Sequence, residues 1–198
     1  VLRGMHGSRL NILTNEGSMP GGCPARMDNP LSYVSPENFD RLIVVKGPQT
    51  VQWGPGASAG TIRFDRLGQR MTEGAFEGNG HLMMGAFDRR DAAVDLRFGT
   101  PTAFVRTTLN QAEADDYEDG NRVAVPSAWK KWNADVSLGY TPNDDTVIQL
   151  NVGTGDGEAK YAGRGMDGRQ FKREHVSVQA RTQHLVGRLN GYEATLYY

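Results

Sequence analysis

The side chains best suited to hold something are Cys23 and Met27, in the run Gly21-Gly22-Cys23-Pro24-Ala25-Arg26-Met27-Asp28. Thiolate and thioether are soft ligands and select Cu(I) over hard cations. Pro24 suits the first position of a helical turn. On such a turn residues four apart share a face, so Cys23 and Met27 can grip one ion. Cys23 is the single cysteine, which excludes a disulfide within the chain. It leaves a free thiol, an intermolecular partner or a ligand, and a buried inert thiol is the plainer alternative. A second soft pair occurs in His81-Leu82-Met83. His81 and Met83 stand two apart and share one face of a strand, where packing is their expected role. Met5, His6 and Met19 show no joint spacing, so packing or surface exposure is expected of them.

Other chemistry finds little support. No nucleophile elbow, HExxH or phosphate loop is present, so no enzyme is expected. Gly153, Gly155 and Gly157 lack the strand-to-helix context of a nucleotide site and are expected in a flexible external loop. With 22 basic and 23 acidic residues the net charge is -1. No basic stripe with interleaved aromatics points to nucleic acid. The chain begins Val1-Leu2-Arg3-Gly4 without a signal-peptide pattern, and Leu196-Tyr197-Tyr198 stops within an apolar alternation, so both ends read as internal to a longer protein.

The elements that must position these groups fall into two halves. Residues 1–70 mix Gly-Pro punctuation with short apolar runs and read as a small α+β unit. Leu42-Ile43-Val44-Val45 predicts a buried strand, followed by a glycine-rich segment and a second strand at Thr61-Ile62-Arg63-Phe64.

From about residue 75 the pattern becomes strict alternation. Trp132, Ala134, Val136, Leu138 and Tyr140 share one face, against Asn133, Asp135, Ser137 and Gly139 on the other. Similar alternation covers 91–98, 146–152, 175–181 and 192–198. It is less clean over 102–110, where Phe104 falls among polar positions, and 77–87 opens the series of seven expected strands. Tight turns lie at Gly99-Thr100-Pro101 and Thr141-Pro142-Asn143-Asp144. Long loops are expected over 113–126 and 155–170.

Aromatics at the rim of an apolar face, and short turns opposite long loops, describe a transmembrane β-barrel. A mean hydropathy of -0.54 is compatible with that, because half of each strand is polar. The alternative is a soluble β-sandwich, whose strands also alternate but bury the apolar face.

The string from Asp40 through Lys46-Gly47-Pro48-Gln49-Thr50 and Gly54-Pro55-Gly56-Ala57-Ser58-Ala59-Gly60-Thr61-Ile62 resembles the end of the plug in TonB-dependent receptors. Val1-Leu2-Arg3-Gly4 resembles an earlier signature of the same plug, and the Cys23-x-x-x-Met27 segment looks like that of the copper receptors in this family.

The resemblance implies a mostly β protein. Residues 1–70 would be the C-terminal part of an α+β plug, and residues 71–198 the first antiparallel strands of a plugged barrel of about 22 strands. It further implies TonB-energised copper uptake at the outer membrane of a Gram-negative bacterium. The plug ligands would be Cys23 and Met27, and barrel ligands would complete the site. The implied partners are the TonB protein (through a segment nearer the plug's start), outer-membrane lipid, and a copper ion or small copper donor. In the copper receptors a His-x-Met pair of the barrel belongs to a later strand, expected just beyond Tyr198 rather than at His81 and Met83. The alternative cargo is a ferric siderophore or cobalamin.

Overall fold

A computed structural model describes residues 9–23, 28–47, 51–54, 58–163, 165–183 and 191–198. The first part is a four-stranded sheet of β1 (Leu10–Thr14), β2 (Gly17–Ser18), β3 (Arg41–Lys46) and β4 (Gly60–Asp65), in the order β2-β1-β4-β3. β1 and β4 run parallel, with Ile12 opposite Ile62, and β3 is antiparallel to β4. Asn15 and Glu16 turn β1 into β2 with φ of 47° and 68°, a conformation in which Asn is comparatively at ease. Ile12, Met19, Val34 and Phe64 form the core, flanked by Leu31, Tyr33 and Phe39. Burial of these side chains from water holds this small sheet together.

Two expectations need adjustment here. In β3, an edge strand of this sheet, Leu42 and Val44 are exposed rather than buried among the described residues. The helical content among the described residues is three short 3-10 turns, Pro30–Tyr33, Pro36–Asn38 and Val51–Trp53. Each of the first two opens on a proline, whose fixed φ suits that position. The turn expected from Pro24 lies outside the described residues, as do Met27, Met5, His6 and Pro48-Gln49-Thr50.

The second part is a seven-stranded antiparallel meander. It comprises β5 (Ala75–Gly85), β6 (Arg89–Gly99), β7 (Ala103–Ala114), β10 (Trp129–Asn143), β11 (Thr146–Ala159), β12 (Arg173–Thr182) and β13 (Tyr192–Tyr197). The loop after β7 carries a small hairpin, β8 (Tyr117–Glu118) and β9 (Ala124–Val125). All seven expected strands are present. β10 and β11 extend to 15 and 14 residues, beyond the alternation that announced them.

The faces of these strands are reversed relative to a soluble protein. On β10 the apolar Val136, Leu138 and Tyr140 are 41–50% exposed, whereas Asn133, Asp135 and Ser137 are 3–9% exposed. Ser35, Asn38 and Arg66 of the first part cover the polar face of β10 and leave the apolar one open. A sandwich would do the opposite, so an apolar solvent outside the wall is the arrangement these strands require. No helix of the described residues is long and apolar enough to cross a membrane.

The glycine series is a correction: Gly153, Gly155 and Gly157 lie within β11, not in an external loop. They occur at alternate positions, where a Cβ would run into neighbours. At Gly153 it would meet Asp135 and His175, and at Gly157 it would lie 2.9 Å from the Lys130 carbonyl. Glycine here makes room for polar side chains lying across the wall, rather than for flexibility. Phe104 explains the break in alternation on β7. It faces inward, 4% exposed, under the Arg97 guanidinium at 4.3 Å.

Candidate metal centre

The loop bearing Cys23 leaves the plug core just after Met19, itself a buried core residue. Its shape is set by Asp28. One carboxylate oxygen accepts the Gly22 amide at 2.7 Å and the Tyr33 hydroxyl at 2.7 Å, and the other accepts the Cys23 amide at 3.2 Å. The loop is therefore closed at its base across the segment between Cys23 and Asp28. Burial acts to raise the Asp28 carboxyl, but the bonds from Tyr33, Gly22 and Cys23 outweigh it and hold it below the ordinary carboxylate range. Desolvation and the bond to Asp28 push the Tyr33 hydroxyl up to about 12, so it stays a donor.

Tyr33 in turn meets the loop between β11 and β12. Its ring lies edge-on to Phe171 at 5.5 Å, a geometry that aromatic quadrupoles favour. Beside it opens a cleft of about 260 Å³, lined by Met19, Gly22, Tyr33, Arg173 and Tyr197 among others. Cys23 is a free, half-buried cysteine, outside the hydrophobic core cluster.

The plug is seated by a buried polar junction. The Arg66 guanidinium lies 2.7 Å from the Asp135 carboxylate of β10, with both side chains almost fully buried. Asp135 also accepts the Asn38 amide, and Asn38 accepts that of Asn110 on β7. Asn133 donates to Ser35 at 3.0 Å, and Arg66 donates through Nε to the Asn38 carbonyl at 3.0 Å. His175 of β12 completes the group, its Nε2 3.3 Å from Asp135. Further out, Arg106 of β7 bridges Asp40 of the plug at 2.7 Å and Asp95 of β6 at 2.6 Å. Much of this seam is hydrogen-bonded between the two layers, but among the described residues Thr108 Oγ1 and His175 Nε2 are buried without a hydrogen-bond partner.

Placement of the predicted ligands is uneven. Cys23 stands on the clamped loop, next to Gly22, which lines a cleft with Arg173 of β12 and Tyr197 of β13. Met27 lies outside the described residues. His81 and Met83 fall on the plug-facing side of β5, since register sets His81 level with Ala93, Asn110 and Asn133. Both are exposed. The sheet order sets β5 five strands from β12, roughly 24 Å along the wall at about 4.8 Å per strand.

Among the described residues, no cluster of His, Cys, Asp and Glu could hold a metal ion. Asp28, Tyr33 and the Arg66–Asp135 junction were not foreseen. The only hint in the sequence is that Asp28 directly follows Met27 and that two glycines precede Cys23.

A plug seated through buried polar contacts against the inner face of an outward-apolar wall defines the class of plugged β-barrels. Residues 1–61 match the TonB-dependent Receptor Plug Domain family. Over its full length the chain is 55% identical to a solved structure of the Copper transporter OprC, with a TM-score of 0.94, and it covers 30% of that chain. The chain belongs to the TonB-dependent receptors, whose members are outer-membrane β-barrels. The fold recurs in the ferric enterobactin receptor PfeA, at 18% identity and TM-score 0.69, covering 99% of this chain and 34% of that one. It recurs also in FpvA of P. aeruginosa bound to pyoverdines, at 16% identity and TM-score 0.60, covering 90% and 26%. No curated protein matches the chain. The chain thus spans about a third or less of the solved proteins it matches.

Proposed function

We propose that the protein takes up copper across the outer membrane with TonB-supplied energy, and that Cys23 and Met27 are its ligands in the plug. The observation that carries this reading is the unpaired Cys23, four residues before Met27, on a loop clamped at its base, in a chain 55% identical to a protein named as a copper transporter. A thiolate and a thioether favour Cu(I), and further ligands from the barrel would complete the ion's shell. The division of labour falls near residue 70, with plug before it and wall after it. TonB acts on the plug, the barrel's apolar face meets outer-membrane lipid, and no catalysis is involved. Likeness to the enterobactin and pyoverdine receptors is below 20% identity and concerns the fold alone, so it gives no specific support to a siderophore cargo.

Copper accumulation by cells tests the reading. Deleting the gene, or removing TonB, should lower copper uptake from a dilute medium to the same residual level. Uptake unchanged by the deletion would refute the assignment.

A further inference from the structure

We propose that Asp28 is a positioning residue for copper. It touches no metal, and it fixes the backbone from which Cys23 presents its sulfur. This rests on the copper reading above. The carboxylate closes the loop with three hydrogen bonds, from the Gly22 and Cys23 amides and the Tyr33 hydroxyl, at 2.7, 3.2 and 2.7 Å. The bond to the Cys23 amide acts on the ligand's own backbone, and Asp28 is the residue next to Met27 in sequence. One group therefore ties the amide of one sulfur residue to the chain position beside the other.

The neighbourhood is built for the carboxylate. A Cβ on Gly21 would lie 2.6 Å from Asp28 Oδ1, and one on Gly22 would lie 2.8 Å from the Tyr33 hydroxyl, so a side chain at either would push these groups from their present places. Tyr33 is braced edge-on by Phe171, in the loop that joins β11 to β12, which extends the support from the ligand loop to the second part of the chain. A carboxylate already accepting three donors, and hard in character, is a poor ligand for Cu(I). Groups that orient metal ligands without touching the metal typically change affinity by 10–100-fold when removed.

The test uses the full-length receptor loaded with Cu(I) under reducing conditions. Affinity is read by competition with a chromogenic Cu(I) chelator, and sulfur ligation by X-ray absorption. Asp28→Ala should weaken binding about 10–100-fold. Asp28→Asn keeps one acceptor oxygen and should fall between Ala and the parent. The copper that still binds to either variant should show fewer sulfur neighbours, which a general loss of folded protein would not produce. Should Asp28→Ala fail to fold, Asp28→Asn decides. Parent-like affinity and sulfur count in the folded variants would overturn the proposal. So would an oxygen neighbour of copper in the parent that vanishes in Asp28→Asn, since Asp28 would then be a ligand. Cys23→Ser in the same assay separates the two claims: undiminished copper there rejects the copper reading itself.

Discussion

Two stretches of this protein carry soft ligands, and they are supported in opposite ways. Cys23 stands on a plug loop pinned by Asp28 and Tyr33 and braced against Phe171. His81 and Met83 stand on β5, where no hydrogen bond among the described residues holds either side chain as Cys23's loop is held. The residue types alone favour the second pair as much as the first, since imidazole and thioether both bind copper. The difference lies in preorganisation. A loop held before the ion arrives loses little freedom on binding, whereas an open strand position must be completed by other groups.

The comparison can be broken at its foundation. Arg66→Ala leaves Asp135 buried without its cation, and breaking such a pair costs about 3–5 kcal/mol. Thermal melting in detergent should show that loss, and with it a plug that proteases cut more readily. A variant that melts with the parent would mean that the junction does not seat the plug. The next effect concerns which side of the wall is which. Val136→Arg puts a charge on the outward face of β10, at a cost of about 2–4 kcal/mol in a bilayer if that face meets lipid midplane. Refolding titrations in vesicles measure it, and a neutral result would turn the wall inside out. Phe171→Ala removes the edge-on partner of Tyr33. The ring pair contributes about 0.5–1.5 kcal/mol beyond its buried area, and copper affinity should fall with it. The smallest effect belongs to the exposed pair. His81→Ala with Met83→Ala should change stability by no more than about 0.5 kcal/mol, as exposed positions do, and should leave copper retention as it was. Copper lost by that variant would make the two stretches equal.

The wall was legible because a period of two is a strong signal. Trp132 to Tyr140 shows five apolar residues alternating with polar ones, and five of the seven strands followed from such clean patterns, with 77–87 and 102–110 the exceptions. Their ends were less legible. The β11 glycines read as a loop because a sequence does not show Asp135 and His175 lying over them. Leu42-Ile43-Val44-Val45 read as buried because hydrophobicity does not reveal an edge. The polar junction was hidden for a related reason. Arg66 and Asp135 are 69 positions apart, and only the docking of plug on wall brings them to 2.7 Å. Cys23 was singled out by its chemistry, as a candidate ligand. Asp28, its support, is an ordinary carboxylate until three donors are seen to converge on it.

Copper retention by purified full-length receptor, parent against Cys23→Ser, bears most directly on all of this. Both are loaded with Cu(I), freed of loose metal by gel filtration and assayed for metal per protein. The parent should keep its copper and the serine variant should lose it, with equal melting of the two metal-free proteins. Equal copper in both would contradict the account.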